Sequence, residues 1–484
     1  MSNNTVEFVD QTIRDGQQSL WGMRMTQAQM MPVLPWLDGA GYRIVDFTGG
    51  AMFKVQTKNL KRDPWAMTRD VTSAMLTPMR AAVRTDGVLM GPAPDALMDL
   101  WTERLVANGI RSFWVFDVLL HEERFSRIVH LAKSLGVEVV GAIMFTDSPV
   151  HTDDYYADLA RRISELPVDA IYLEDTAGVL TPDRARTLVP AVQRGGGLPI
   201  EAHFHNTTGL APMCYVEALR AGVRTLHTAV PPMADRGSLP SVTTMMRLVG
   251  QLGLEHNVDT AHLEPVLDWL TYVGEREGFE LGGPTEYDLD VYQHQIPGGM
   301  MGTLKAQLAE VGLLDRLEEI LDETAVVRRE LGYPGMATPL SQFAGIQAVL
   351  NLLTGERYNK VPTEVIRYVC GYYGKPVGEI DANVLDRVMD QPLARAGTGD
   401  RIAQPTLTEL RAAHGNVSDD ELILRATMSA EEVEEMRRSS VELSYPAPLS
   451  RLVRTLMNSG DGGSHASCRS NNAAAWLSAV APAY

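Results

Sequence analysis

Eight times between residues 6 and 230 a short β-rich run is followed by an amphipathic stretch, and this alternation narrows the possible folds more than any other feature. The runs fall at 6–10, 42–48, 79–85, 112–118, 137–146, 170–175, 200–206 and 225–230. The stretches between them include 26–40, 94–108, 121–135, 153–166, 182–194 and 210–221. They carry apolar residues at helical spacing, and several open on an Asp, Thr or Pro start signal. A strand that returns through a helix to the next strand must run parallel to it. Eight such units close into a (β/α)8 TIM barrel, an α/β fold. An open, doubly wound sheet is the competing architecture, but no glycine-rich dinucleotide fingerprint follows the first run to support it.

Chemistry in such a barrel gathers at the carboxyl ends of the strands, and the polar clusters fall there. Arg14-Asp15-Gly16 and Gln18 follow the first run, Arg84 ends the third and Asp117 the fourth. Glu174-Asp175 ends the sixth, and His203 and His205 end the seventh. A merely solvated surface would scatter these residues over both ends.

Side chains alternate across a strand, so His203 and His205 share one side, roughly 7 Å apart along the chain. Two imidazoles so placed either bind a metal or hydrogen-bond without one. With Asp15 and Glu174 they make a two-histidine, two-carboxylate set. Such a set suits Zn²⁺, Mn²⁺ or Co²⁺ and is too rich in nitrogen for Ca²⁺ or Mg²⁺. A metal there would act as a Lewis acid on a ketone or enolate oxygen. Arg14 and Arg84, at neighbouring strand ends, either hold a substrate carboxylate by bidentate contacts or tie barrel loops as salt bridges.

From about residue 286 the pattern changes. Helices are expected at 304–328, 342–353 and 363–373, with Gly298-Gly299 and Pro334-Gly335 as punctuation and no further strands. The expected organisation is a metal-binding catalytic barrel over 1–285 and a helical domain over 286–445 laid against it. A charged, solvent-facing helical portion at 421–439 and a mobile tail over 446–484, rich in Gly, Ser, Asn and Ala, complete it. The net charge of −18 argues against nucleic acid and anionic membranes as partners. Cys214, Cys370 and Cys468 are odd in number and far apart, which offers no disulfide framework or zinc knuckle. The polar start of the chain and the lack of a spanning apolar run predict a cytoplasmic protein with no membrane insertion.

The segment Val9-Asp10-Gln11-Thr12-Ile13-Arg14-Asp15-Gly16-Gln17-Gln18-Ser19 resembles the opening motif of the biotin-dependent carboxyltransferase family. That family includes the pyruvate carboxylase carboxyltransferase domain, the oxaloacetate decarboxylase alpha subunit and the pyruvate-side subunit of transcarboxylase. The resemblance continues at Gly49-Gly50-Ala51, Asp63-Pro64-Trp65, the 146–152 stretch and Asp175-Thr176-Ala177-Gly178. It returns at 203–212, at Tyr292-Gln293-His294-Gln295-Ile296-Pro297-Gly298-Gly299-Met300, at Ala337-Thr338-Pro339-Leu340-Ser341-Gln342 and at Gly371-Tyr372-Tyr373-Gly374-Lys375-Pro376. It covers roughly residues 5–440, in order.

The resemblance implies that Asp15, His203 and His205 are metal ligands, that Arg14 and Gln18 lie near the enolpyruvate oxygen, and that Arg84 binds the keto acid's carboxylate. It also implies that Thr338 shuttles a proton between biotin and the enol, with Ser341 close to biotin. The activity implied is carboxyl transfer between biotin and a 2-oxo acid, pyruvate or oxaloacetate or a relative, through a metal-held enolate. A homodimer is expected, with biotin carrier and biotin carboxylase subunits as partners.

Departures cluster around the same pocket. The family's metal-bound, carbamylated lysine is here Glu174, several bonds shorter, which is expected to reach the metal directly or through a water. The family's Arg-Gly-x-Asn is Arg84-Thr85-Asp86-Gly87, its tyrosine seven residues past that arginine is Gly91, and its Phe-Asp-x-Leu-Asn-Asp is Phe116-Asp117-Val118-Leu119-Leu120-His121. No Met-Lys-Met biotinylation sequence is present, so biotin is expected on a separate carrier protein. Three readings stay open here: a biotin-dependent carboxyltransferase or decarboxylase, a biotin-independent metal-dependent carbon–carbon lyase, aldolase or decarboxylase, and a non-catalytic subunit.

Overall fold

The computed structural model describes residues 4–439 and 444–446, apart from 90 and 311. The eight strands are Thr5–Asp10 (β1), Ile44–Gly49 (β2), Met79–Arg84 (β3), Ser112–Phe116 (β4), Glu138–Met144 (β5), Ala170–Asp175 (β6), Ile200–Phe204 (β7) and Thr225–Thr228 (β8). Each pairs in parallel with the next. β1 also pairs with β8, with Phe8 opposite Leu226 and Asp10 opposite Thr228, so the sheet closes into the expected barrel. The open-sheet alternative is thereby excluded.

Most intervening helices stand within two residues of their expected ends, at Asp95–Ala107, Glu122–Ser134, Asp153–Ser164, Pro182–Gly196 and Ala211–Arg220. Their starts are chemically marked. Thr152 and Thr181 accept hydrogen bonds from the backbone N–H of Tyr155 and Arg184, satisfying donors that the first turn leaves free. The stretch 26–40 is not one helix. Pro32 and Pro35 lack the N–H that would continue it, and it breaks into Gln27–Met30, a 3₁₀ turn Met31–Val33 and Leu34–Gly39.

The inward faces of the strands divide the barrel into two halves. On β4 to β6, Trp114, Val140, Ala142, Met144, Ala170 and Tyr172 form an apolar cluster, with Trp114 stacked on Tyr172 at 4.9 Å and 9°. Just past β1, and on β2, β3, β7 and β8, lies a set of polar buried side chains: Gln11, Asp46, Arg80, Glu201, His203 and His227. Buried polar groups must find partners or lose free energy. These partner one another, and the metal candidates sit at their upper edge.

The helical region packs its own core around Val327, Leu331, Leu340, Phe343, Tyr368 and Val388. The single helix expected over 304–328 is two, Gly298–Glu310 and Leu317–Glu330. Gly312, at φ +72°, turns the chain between them. The segment 421–439 also differs from expectation. It forms Asp419–Thr427 and Ala430–Arg438, split where Ser429 opens a capping box with Glu432. These two helices do not simply face solvent, because Leu422, Ile423, Leu424, Val433 and Met436 are buried against the barrel's outer core. Their charges are spent on the same contact, with Asp420 pairing Arg69 at 2.9 Å and Arg104 at 2.7 Å. The tail expected over 446–484 lies outside the described residues except for Pro446. Among the described residues no helix is long and apolar enough to cross a membrane.

Candidate metal centre and barrel mouth

Asp15 is delivered by a single π-helical turn, Thr12–Gly16, immediately beyond β1. The turn is pinned from below. Asp10 accepts from the backbone N–H of Thr12 at 3.2 Å and from its hydroxyl at 2.5 Å, and Thr12 Oγ1 accepts from the N–H of Val230 at 2.9 Å. Gly16 lets the turn close on the loop after β8, since a Cβ there would lie 2.7 Å from the carbonyl oxygen of Met233.

His203 and His205 project inward from β7 and the residue just past it, and Glu174 projects inward from β6 opposite His203. One donor atom from each of Asp15, Glu174, His203 and His205 lies within 4.8 Å of all the others, and all four residues are buried. Asp15 Oδ2 is 2.9 Å from His203 Nε2 and 3.3 Å from His205 Nε2, and the two Nε2 atoms are 3.2 Å apart. A tetrahedral ion with bonds of about 2.0–2.2 Å spaces its ligands by roughly 3.4 Å. Three of the four groups already match that spacing. Glu174 Oε1 is further out, 3.9 Å from His203 Nε2, and its Oε2 is buried with no partner among the described residues.

The supporting bonds reinforce this fit. His205 lies 2.8 Å through Nδ1 from the carbonyl oxygen of Gly237, which can only accept, so Nδ1 is the donor. In the neutral ring Nε2 is then a bare lone pair aimed at a carboxylate oxygen. Acceptors face acceptors across the pocket, and a cation resolves the conflict. Without a metal a proton takes that place. Burial alone would lower the pKa of His205, but the Asp15 carboxylate raises it to about 9. Burial pushes Glu174 up to about 8. Burial works against the charged form of Asp15 too, yet Arg14 and the two histidines hold it well below the usual carboxylate range.

Arg14 is brought to this cluster but is heavily committed. It pairs with Asp15 at 3.1 Å and Asp46 at 3.3 Å, donates twice to Gln11 Oε1, and lies 5.2 Å over the Trp114 ring. Among the described residues no side-chain hydrogen bond or ion pair joins the other expected site residues, Arg84, Gln18, Thr338 and Ser341, to the four donors. Arg84 pairs through Nε with Asp86 at 2.5 Å and lines a small cavity with Asp117, Leu119, Pro339, Leu340 and Tyr373, at the seam between barrel and helices. Thr338 and Ser341 stand beside Met300, at 3.9 and 2.8 Å from its sulfur. Their segment reaches the barrel mouth. The N–H of Met336 donates to Thr146 Oγ1, Thr176 Oγ1 donates to the Met336 carbonyl, and Ala337 packs in the Trp114–Tyr172 cluster.

Sequence reasoning passed over the buried layer beneath the donors: Tyr172, whose hydroxyl is 2.5 Å from His203 Nδ1, and also Glu201, Arg80 and His227. A signal for one of them existed. Glu201 precedes His203 by two positions on the same strand and so shares its inward face.

Residues 291–447 match the family described as conserved carboxylase domain, and residues 117–269 match the HMGL-like family. The chain is 37% identical over 390 residues to one of the pyruvate carboxylase subunits of Methanocaldococcus jannaschii, covering 80% of this chain and 69% of that protein. It is 31% identical over 466 residues to the 2-oxoglutarate carboxylase large subunit of Hydrogenobacter thermophilus, covering 93% and 71%. It is 30% identical over 392 residues to the methylmalonyl-CoA carboxyltransferase 5S subunit of Propionibacterium freudenreichii subsp. shermanii, covering 80% and 77%. Its fold is that of the carboxyl transferase domain of Rhizobium etli pyruvate carboxylase, solved with pyruvate and biocytin. The two agree with a TM-score of 0.82 at 22% identity over 90% of this chain and 77% of that one.

Proposed function

The chain belongs to the biotin-dependent carboxyltransferase family, and on that premise we propose that it moves a carboxyl group between biotin and a small 2-oxo acid at the mouth of its barrel. The observation that carries this reading is the convergence of Asp15, Glu174, His203 and His205 in one buried pocket at the strand ends. We assign these four as ligands of a divalent transition metal, Zn²⁺, Mn²⁺ or Co²⁺. Such an ion supplies Lewis acidity, stabilising negative charge that develops on the keto oxygen.

The remaining work falls to side chains of this chain. Arg14, held by Asp46 and Gln11, keeps Asp15 ionised and oriented. Gln18, on the first turn beyond Asp15, is assigned to the keto oxygen. Arg84 takes the substrate's carboxylate at the seam cavity, exchanging part of its contact with Asp86 for it. Thr338 Oγ1 moves a proton between biotin and the substrate carbon, with Ser341 beside biotin. The segment that carries them, tied to Thr146 and Thr176, covers the mouth and keeps water from the reacting carbon. Pyruvate and oxaloacetate are the substrates of choice. In this reading 1–285 is the catalytic unit and 286–445 the unit that receives biotin, brought by a separate carrier protein charged by a biotin carboxylase subunit.

The test is oxaloacetate decarboxylation by metal-loaded protein, followed as pyruvate release with and without free biotin. Biotin stimulation is the expected result. Turnover indifferent to biotin would leave the second reading, a biotin-independent lyase.

A further inference from the structure

Behind the four candidate ligands lies a buried set to which the proposed reaction gives no role beyond Gln11's hold on Arg14: Gln11, Arg80, Glu201 and His227. Its hydrogen bonds run in only one sense. Arg80 Nη2 donates to Glu201 Oε1 at 3.1 Å, its Nη1 pairs with Oε2, and Arg43 Nη1 donates to Oε1 at 3.1 Å. Two guanidinium groups keep Glu201 a carboxylate, which can only accept. His227 Nε2, 3.0 Å from Glu201 Oε2, therefore carries the ring's hydrogen.

The other side of the ring is set independently. Gln11 Oε1 accepts from Arg14 Nε at 3.1 Å and Nη2 at 2.8 Å, so the amide nitrogen is the end that faces His227 Nδ1, 2.8 Å away. The same nitrogen donates to Asp46 Oδ2 at 3.1 Å. A donor on that side requires a bare Nδ1 on His227. Both neighbours thus select one tautomer.

His203 Nδ1 lies 3.2 Å from that bare nitrogen. Two lone pairs at this separation would repel, so His203 carries its hydrogen on Nδ1, with Tyr172 Oη, 2.5 Å away, as its acceptor. Its Nε2 is then bare and faces Asp15 and His205. In the opposite tautomer Nε2–H would donate to Asp15, satisfying the pocket without an ion and removing a ligand.

We propose that His227 is a positioning residue for the metal centre: held by Glu201 and Gln11, its bare Nδ1 excludes a second lone pair at His203 Nδ1, so His203 carries its hydrogen there and turns its bare Nε2 toward the metal. This rests on reading Asp15, Glu174, His203 and His205 as a metal site. A group that fixes the tautomer of a metal-bound imidazole from behind typically changes metal affinity by about 10- to 100-fold.

The first measurement needs no variant. Long-range ¹H–¹⁵N spectra of the Zn²⁺-loaded protein, labelled at histidine, are expected to give His203 as the Nδ1–H form and His227 as the Nε2–H form. His227 found as the Nδ1–H form overturns the proposal. The second compares His227→Leu with His227→Asn, whose Oδ1 stands near the place of Nδ1. Competition with a chelator should show His227→Leu binding Zn²⁺ about 10- to 100-fold more weakly, with a shifted Co²⁺ visible spectrum, and His227→Asn recovering most of the loss. Wild-type affinity and an unshifted cobalt spectrum in His227→Leu overturn it. Should His227→Leu not fold, the spectra of the unaltered protein decide. A His203→Ala, His205→Ala double variant separates the two claims. Stoichiometric metal retained there defeats the metal site itself, whereas its loss beside a normal His227→Leu defeats only the role of His227.

Discussion

Asp15 Oδ2 lies 2.9 Å from His203 Nε2, two groups 188 residues apart in sequence that the closed barrel brings together. Around that contact the bond from His205 Nδ1 to the Gly237 carbonyl gives the neutral ring a bare Nε2, and Glu174 stands by with an unpartnered oxygen. The purified protein should therefore carry about one transition metal per chain, measured by elemental analysis. His203→Ala should lose both metal and activity while keeping its circular dichroism spectrum. Metal still bound at full stoichiometry in the His203→Ala, His205→Ala double variant would sink this prediction.

Glu174 sits slightly outside the spacing of the other three, at 3.9 Å from His203 Nε2. A carboxylate that closes this gap, directly or through a water, contributes as a ligand. One that does not merely adds charge. Glu174→Gln keeps the shape and removes the charge, and metal binding should weaken by about 10- to 100-fold. Normal affinity in that variant would mean a site with three protein ligands and an open position, nearer to the lyase reading.

Away from the metal, burial pushes His151 and His294 down to about 4, and the guanidinium of Arg328 adds to both shifts. The ordinary histidine value is 6.5. The folded protein therefore holds these rings neutral where the unfolded chain would protonate them. Below about pH 6.5 the unfolded state binds more protons, so the stability they contribute is complete above that pH and is lost as pH falls toward 4. Thermal unfolding of chelator-treated protein should shift to lower temperature across this window. The His151→Gln, His294→Gln double variant should shift less steeply. An identical slope in that variant would assign the acid sensitivity elsewhere.

Arg84 is paired with Asp86 at the seam cavity rather than with the metal group. If it holds a substrate carboxylate, Arg84→Lys keeps the charge and loses the planar fork, and KM for an acidic substrate should rise clearly with metal content unchanged. Steady-state kinetics identical to wild type would make Arg84 a tie between strand and loop.

The barrel was legible because its signal is periodic. All eight strands and most helices can be placed from alternating runs and from Thr, Asp or Pro starts. The grouping of the four candidate ligands was legible because strand alternation puts His203 and His205 on one face, and because Asp15 and Glu174 stand at matching strand ends. What was missed depends on closure of the barrel. Nothing local tells that Gln11 meets His227, since β1 and β8 become neighbours only when the sheet joins its ends, whereas Glu201 and His227 stand on the adjacent strands β7 and β8. The 421–439 helices were misread for a related reason. Their charges suggested solvent, but Asp420 reaches Arg69 and Arg104 on the barrel, more than 300 residues away in sequence.

The choice between a biotin-dependent and a biotin-free enzyme comes down to Thr338. Its neighbour Ala337 packs against the cluster that holds Tyr172, and the Tyr172 hydroxyl touches His203, so the Thr338 backbone is anchored close to the reacting end of the barrel. Its own hydroxyl faces the Met300 sulfur at 3.9 Å, a weak acceptor that leaves the proton available to a ligand. In a carboxyltransferase that hydroxyl passes a proton between biotin and the substrate carbon, and a positioned proton transfer is worth about 10²–10⁴ in rate. In a biotin-free lyase the same hydroxyl lies outside the chemistry, and removing it leaves turnover nearly unchanged. Oxaloacetate decarboxylation by wild type and Thr338→Ala, each with and without free biotin, separates the two. The expected outcome is that biotin accelerates the wild type, while the variant, folded and metal-loaded, loses that acceleration and keeps its biotin-independent background. Decarboxylation that responds neither to biotin nor to loss of the Thr338 hydroxyl would transfer the site to the lyase reading.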